Sequence, residues 1–262
     1  VSLKFLSWPA SWGRQSKSSA TIAIAIVILL LFLWLLAIPL AHIPSPIGEN
    51  AQEFAKATRI TVELAIIAGV IGVVLGVIAA LGKLSRFGII RLISGFYIWV
   101  IRGTPLLVQI LFVYLALPIF IPSLQFSDFT SAAIALALNA GAYNAEAIRS
   151  GLLAVPKGQV EAAQSLGLSA WHTATDIVFP QAFKVALPPL VNNFIALLKD
   201  TSLAYAIGVV ELTNVGNRIQ AETFQPIPTL MTTAVIYLLL TTILTQISNA
   251  VERRFDVEGR QS

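Results

Sequence analysis

Six long apolar runs alternate with short polar segments along this chain. The runs fall at residues 21–41, 60–82, 92–117, 129–148, 185–209 and 227–250. About 20 mostly apolar residues in a helix cross a bilayer, and only helices or closed barrels satisfy their own backbone in lipid. The pattern therefore predicts an all-α integral membrane protein with six transmembrane helices. The first run, at 21–41, has no charge and follows a polar, mildly basic segment at 1–20. A signal peptide would have a shorter apolar region, about 7–15 residues, and a small-residue cleavage site. An uncleaved span fits better.

Three runs are interrupted, and each interruption predicts something. The second carries Gly69, Gly72 and Gly76, the last two on one helical face, and small residues at this spacing let helices approach closely in lipid. Tight packing is the reading for them. Glu63 sits near the outer end of that run, at the interface. The third holds Arg102, Gly103, Thr104 and Pro105, which predicts a kinked span with a costly cation inside. The fifth holds Lys199, Asp200, Thr201 and Ser202. The fourth ends in Asn139, Tyr143, Asn144, Glu146 and Arg149, a polar end that emerges into the cytoplasm.

The longest polar stretch, 156–182, lies between runs four and five. Its apolar residues recur at helical spacing (Val160, Ala163, Leu166, Ala170), Gly167 punctuates it and Pro180 stops it. It predicts a short helical insert, a docking element for a soluble partner.

Composition narrows the class. The 262 residues are 56% hydrophobic and only 11% charged, well below the quarter or so of charged residues in soluble domains. No cysteine occurs, which excludes disulfides, thiolate metal sites and cysteine nucleophiles. His42 and His172 are too far apart for a metal motif, and the chain lacks a phosphate-binding G-x-x-x-x-G-K-[ST], H-E-x-x-H and G-x-S-x-G. Intramembrane enzyme chemistry thus has no residues to carry it. The net charge of +4 does not imply nucleic acid, because Lys and Arg concentrate in cytoplasmic loops. With both termini in the cytoplasm, twelve of the 17 basic residues fall on that side, among them Lys83, Arg86, Arg91, Lys157 and Lys184. Lys56, Arg59 and Arg218 fall outside. Stretch 156–182 is then cytoplasmic.

Glu161-Ala162-Ala163, three residues, Gly167, nine residues and Ile177-Val178-Phe179-Pro180 follow one another in that stretch. This resembles the EAA loop of bacterial ABC-importer permeases, with Phe179 in place of the usual Leu. Arg102-Gly103-Thr104-Pro105-Leu106-Leu107-Val108-Gln109, Lys199-Asp200-Thr201-Ser202-Leu203-Ala204 and Gly208-Val209-Val210-Glu211-Leu212 are similar to segments of polar amino-acid permeases of the histidine/glutamine/arginine type. The resemblance covers residues 55–255. It implies a MetI-like, five-span permease core to which residues 21–41 add one N-terminal span.

The resemblance implies a non-catalytic transport subunit of the inner membrane, working by alternating access. Its loop would form a coupling helix docked on an ATPase through Glu161, Ala162, Ala163, Gly167 and Pro180. The partners implied are two ATPase subunits that bind ATP and Mg, a periplasmic solute-binding protein, and a second permease copy or homologue. No cofactor is expected in this chain, and no nucleic acid. Physically, Ala162 and Ala163 permit close helix contact, and Glu161 can pair with a basic residue. A membrane-surface helix would carry a stronger basic face than Lys157 and Lys184 provide.

Arg102, Thr104, Lys199, Asp200, Thr201 and Ser202 form the candidate substrate pathway. Arg102 offers a bidentate fork to a carboxylate, Asp200 a partner for an ammonium, and the hydroxyls neutral hydrogen bonds. The alternative for each charge is snorkelling or pairing between helices. Glu211 is a candidate gate or receptor contact, or else a helix-end surface charge. Rival functions are an importer of another solute, such as an opine or polyamine, and a membrane scaffold or sensor.

Overall fold

In a computed structural model, residues 14–255 of the chain are described, with side chains from residue 18 onward. Most of the polar segment 1–20 and the tail cation Arg260 lie outside them. In chain order the elements are α1 (Arg14–Leu35), α2 (Ala37–Ala41), α3 (Ala51–Lys83), α4 (Gly88–Gly103), α5 (Leu106–Leu111), a π-helical turn (Phe112–Ala116) and α6 (Leu117–Phe120). A 3₁₀ turn (Pro122–Leu124) leads to α7 (Asp128–Leu153), α8 (Lys157–Ser165), α9 (Ala170–His172), a π-helical segment (Thr173–Val178) and α10 (Phe179–Asp200). A 3₁₀ helix (Thr201–Ile207), α11 (Leu212–Thr223) and α12 (Pro226–Arg254) complete the chain. No strand occurs among the described residues.

Helix α7 is the hub. Ser127 caps its N-terminus, the Oγ accepting from the Thr130 N–H at 3.2 Å, and Asp128 adds negative charge to the first turn. The helix is rich in alanine, and Ala132, Ala135, Ala142 and Ala145 are fully buried. Small side chains let α3, α5 and α10 close around it. On α3 a Cβ at Gly72 would lie 2.8 Å from the Ala140 Cβ, and one at Gly69 would lie 2.7 Å from the Phe194 ring. The spaced glycines are close-packing positions, as their spacing predicts. Tyr97 fastens α4 to α7 by donating to the Leu138 carbonyl at 2.7 Å. Asn193 of α10 donates to Asn144 of α7 at 3.0 Å. The N-terminal helix α1 lies along α12, and Arg59 of α3 donates to the Leu33 carbonyl at 3.0 Å.

Among the described residues three helical units are long and apolar enough to cross a membrane: Ser18–Ala41, Ala51–Lys83 and Pro226–Arg254. The pair Gly88–Gly103 and Leu106–Phe120 qualifies only as one unit bent by 110°. Helices α7 and α10 are 26 and 22 residues long but fall below that hydropathy. On α7 Asn139 and Asn144 are buried in protein, whereas on α10 Lys184, Asn192 and Lys199 are exposed.

Several boundaries differ from the sequence reading. The segment 42–59 is not all loop, because α3 begins at Ala51. At 33 residues α3 is about 50 Å long, so it exceeds the roughly 30 Å hydrocarbon core. Residues 92–117 fall in two helices that meet at 110°, a sharper break than a kink. Residues 211–226 are mostly helix α11. The polar end of α7 does not emerge into water as a whole: Asn139 and Asn144 are buried and bonded inside the protein. Pro180 does not stop the polar insert either, since helix continues through it into α10. Just before it the chain is π-helical over Thr173–Val178, and the Phe179 N–H donates five residues back to the Ala174 carbonyl.

Candidate functional site

The EAA-like loop folds into two helical pieces joined by one turn. Helix α8 ends at Leu166, and Gly167 follows with φ +82°. The Gly167 N–H donates to the Gln164 carbonyl at 3.0 Å and the Leu168 N–H to the Ala163 carbonyl at 3.1 Å. This is a Schellman ending, whose left-handed residue is almost always glycine. Ser169 then caps α9, accepting from the His172 N–H at 3.2 Å and bonding the His172 Nδ1 at 2.8 Å. His172 is thereby committed to a local cap. Among the described residues no group of acidic or histidine side chains forms a metal site.

The loop divides its residues between two faces. Ala163 is buried, while Glu161, Ala162, Gly167 and Pro180 are exposed. Gln181 donates to Gln159 at 2.5 Å and to the Ile177 carbonyl at 2.9 Å, tying α8 to the base of α10. The sequence places Leu166 on the same face as Ala163, but Leu166 is 83% exposed and Trp171 is 73% exposed. The turn at Gly167 breaks the helical phase, so the two large side chains project outward together. Their apolarity in a polar segment was the signal for this.

The second candidate is the break in the third run. Arg102 is at the end of α4, its guanidinium 5.3 Å from the Tyr143 ring centroid and 4.0 Å from the Glu146 carboxylate. Glu146 is also bonded by Arg149. With Lys83, Ile98, Trp99 and Gly103, Arg102 and Tyr143 line an open cleft of about 410 Å³. Arg102 therefore both pairs between helices and faces open space. The Thr104 Oγ1 donates to the Val100 carbonyl at 2.9 Å, back into α4.

Lys199 and Asp200 end α10. Lys199 is exposed and Asp200 half-buried. Thr201 is fully buried and donates to the Leu198 carbonyl at 2.7 Å; Ser202 is half-buried. Among the described residues no hydrogen bond or ion pair joins this group to Arg102.

Glu211 is not a surface charge. It is fully buried and caps α11. Its carboxylate accepts from the Thr213 N–H at 2.9 Å, the Asn214 N–H at 2.8 Å and the Tyr237 hydroxyl at 3.0 Å. Glu211→Ala removes the acceptor of two part-buried backbone N–H groups and of the Tyr237 hydroxyl, which keeps only Thr213, and each donor left unpaired costs about 1–3 kcal/mol. A marked fall in the thermal midpoint of purified protein is expected, and a midpoint within a degree or so of wild type contradicts the capping role.

The sequence reading also passed over Gln109. Its Nε2 donates to the Ile101 carbonyl at 2.7 Å, the Thr104 carbonyl at 3.1 Å and the Thr104 Oγ1 at 2.9 Å, and its Oε1 accepts from Asn139 at 3.1 Å. The visible signal was its position four residues after Pro105.

Comparison with known proteins agrees with this geometry. Residues 72–257 match the family described as binding-protein-dependent transport system inner membrane component. The L-cystine transport system permease protein TcyB of Bacillus subtilis is 40% identical over 197 residues, 75% of this chain and 83% of that one. The glutamine transport system permease protein GlnP of Escherichia coli is 40% identical over 186 residues, 71% of this chain and 85% of that one. The crystal structure of an amino acid ABC transporter with histidines superposes with TM-score 0.74 at 38% identity, over 79% of this chain and 95% of that one. An inward-facing MetNI methionine ABC transporter shares the fold, with TM-score 0.67 at 16% identity, over 81% of this chain and 99% of that one. An all-helical fold with apolar spans and an exposed EAA-like turn, matched over most of its length, makes this chain a member of the binding-protein-dependent transport system inner membrane component family.

Proposed function

We propose that the chain is the membrane permease subunit of an ATP-driven importer of polar amino acids. The observation that carries this is the exposed turn from α8 to Trp171, held by Gly167 and packed inward only through Ala163. Exposed apolar side chains on a helix with no basic face suit a protein groove better than a membrane surface. The partner is an ATPase, which binds ATP and Mg and performs the hydrolysis; this chain is non-catalytic. A periplasmic solute-binding protein delivers substrate, and a second permease, identical or homologous, completes the pathway. Relatives that carry cystine, glutamine and arginine permease names support amino acids over opines or polyamines.

The reading keeps six spans in the inner membrane with cytoplasmic termini, α7 and α10 being spans shielded by protein. Residues 55–255 form the permease domain. Movement of the ATPases would rock two permeases about a midplane site and alternate access. Arg102 faces the pathway, where its guanidinium meets the substrate carboxylate; Lys199, Asp200 and Ser202 contribute from the end of α10. Thr201, buried and bonded to its own helix, contributes only by holding that end in place, and Glu211 by capping α11.

Uptake into proteoliposomes holding the assembled complex tests the reading. ATP-dependent uptake that acidic, neutral or basic amino acids compete for is expected, and the competing class names the substrate. Absence of amino-acid uptake by an ATP-hydrolysing complex would refute it. Arg102→Ala is expected to reduce uptake by tenfold or more, roughly the worth of one charged hydrogen bond pair, with basal ATPase intact. Undiminished uptake removes Arg102 from the set of required contacts.

A further inference from the structure

Between α4 and α5 the chain turns by 110° at Thr104–Pro105. Such a break leaves backbone groups without partners, and in a membrane each must be satisfied. Helix α4 ends at Gly103 and Thr104 is extended, so the carbonyl of Ile101, in the last turn, has no helical donor, and Pro105 has no N–H to offer it. The amide of Gln109 occupies that place, its Nε2 lying 2.7 Å from the Ile101 oxygen. The same nitrogen reaches the Thr104 carbonyl and hydroxyl at 3.1 and 2.9 Å. Two amide hydrogens thus serve three acceptors around the corner. The Gln109 Oε1 accepts from Asn139 at 3.1 Å, which fixes which end of the amide faces the break.

Asn139 belongs to α7, and α7 leads through Leu153 directly into α8, which starts at Lys157. Glu146 of the same helix also faces Arg102. The corner is therefore tied by side chains to the one helix that runs into the coupling turn.

We propose that Gln109 is a positioning residue for transport: it supplies the donor that the Ile101 carbonyl lacks at the end of α4, holds the 110° break, and makes Arg102 and Thr104 follow the movements of α7. This rests on the importer reading, and deepens it by naming the link between coupling turn and pathway. Gln109 itself need not touch substrate. Its amide is spent on the backbone of the break.

Two measurements test it. The chain has no native cysteine, so Phe96→Cys on α4 and Ile119→Cys on α6, both at exposed positions, can take spin labels across the break. In permease alone, in lipid nanodiscs, a single narrow distance distribution is expected. Gln109→Ala is expected to broaden it, and Asn139→Ala to broaden it less, because the carbonyl contacts of Gln109 survive. In the assembled complex, Gln109→Ala is expected to lower uptake about tenfold or more while ATP hydrolysis continues, the worth of one or two hydrogen bonds. A wild-type distance distribution together with wild-type uptake overturns the proposal.

The double variant Pro105→Ala/Gln109→Ala separates positioning from stability. Residue 105 regains an N–H, which reaches the Ile101 carbonyl only if the break straightens into helix, so thermal stability is expected to return while uptake stays low and the label distance shifts. Return of uptake along with stability would mean that Gln109 only satisfies the backbone, and overturns the proposal. If Gln109→Ala fails to accumulate, this double variant decides alone. A wild-type complex that imports nothing refutes the importer reading instead, and the label distances still decide the role of Gln109.

Discussion

Gly167→Asp is expected to abolish most uptake while the complex remains in the membrane and hydrolyses ATP. Gly167 holds φ +82°, a region that costs an ordinary L-residue about 1–2 kcal/mol. No atom lies within 4 Å of where its Cβ would be, so the penalty is one of backbone conformation and not of collision. A backbone that relaxes to negative φ loses the bonds from Gly167 to Gln164 and from Leu168 to Ala163. Leu166 and Trp171 then leave the arrangement that presents them together. A penalty of this size shifts a local equilibrium by roughly 5- to 30-fold, and the carboxylate adds a charge beside an apolar contact. Gly167→Asn is the informative companion, because asparagine tolerates the left-handed region at least as well as aspartate and adds no charge. It should keep more uptake than Asp. Uptake at the wild-type rate in Gly167→Asp would sink the coupling role of this turn. Parallel assays of uptake and ATPase rate in one vesicle preparation make the distinction.

Gly76→Leu is expected to be the most destabilising single change in the membrane body. A Cβ at Gly76 would stand 2.7 Å from the Asn144 Cβ and 3.2 Å from the Ala145 nitrogen. Both atoms belong to α7, and the nitrogen is backbone that cannot rotate away. Overpacking a tight core costs about 1–3 kcal/mol and sometimes more, and leucine adds three carbons beyond the Cβ. Asn144 would also be pushed off its 3.0 Å bond with Asn193, loosening α10 from α7. Low membrane yield and a thermal midpoint lowered by several degrees are expected. Gly95→Ala is the contrast: no atom lies within 4 Å of its Cβ position, and alanine favours helix by about 1 kcal/mol over glycine. A Gly76→Leu protein as stable as wild type would contradict the packing described here.

Much of the fold was legible because bilayer insertion imposes a one-dimensional rule. Apolar length fixes where helices cross, and a run such as 227–250 needs no partner to declare itself. The glycines at 69, 72 and 76 announced close approach for a similar reason, since few other demands place small residues at helical spacing. Spacing also exposed the EAA-like pattern and the need for a glycine at position 167. Hydropathy was silent on the remainder. Residues 211–226 read as a polar loop because α11 buries only Leu212, Val215, Gly216 and Ile219, and its buried cap, Glu211, looks in sequence like any surface acid. Residues 51–59 read as loop because the first turns of α3 extend past the apolar run.

By itself the sequence determined a helical membrane protein, its polar insert and the turn residue within it. These follow from local composition and backbone preference. Only the tertiary structure decided what the polar side chains do. It committed Glu211 to a cap, Asn139 and Gln109 to a broken helix, and Arg102 to a cleft beside Tyr143, while leaving Lys199 and Asp200 elsewhere. The physical reason is that a buried polar group must find a partner, and these partners sit 30 residues away, as Gln109 does from Asn139, where no local pattern reaches.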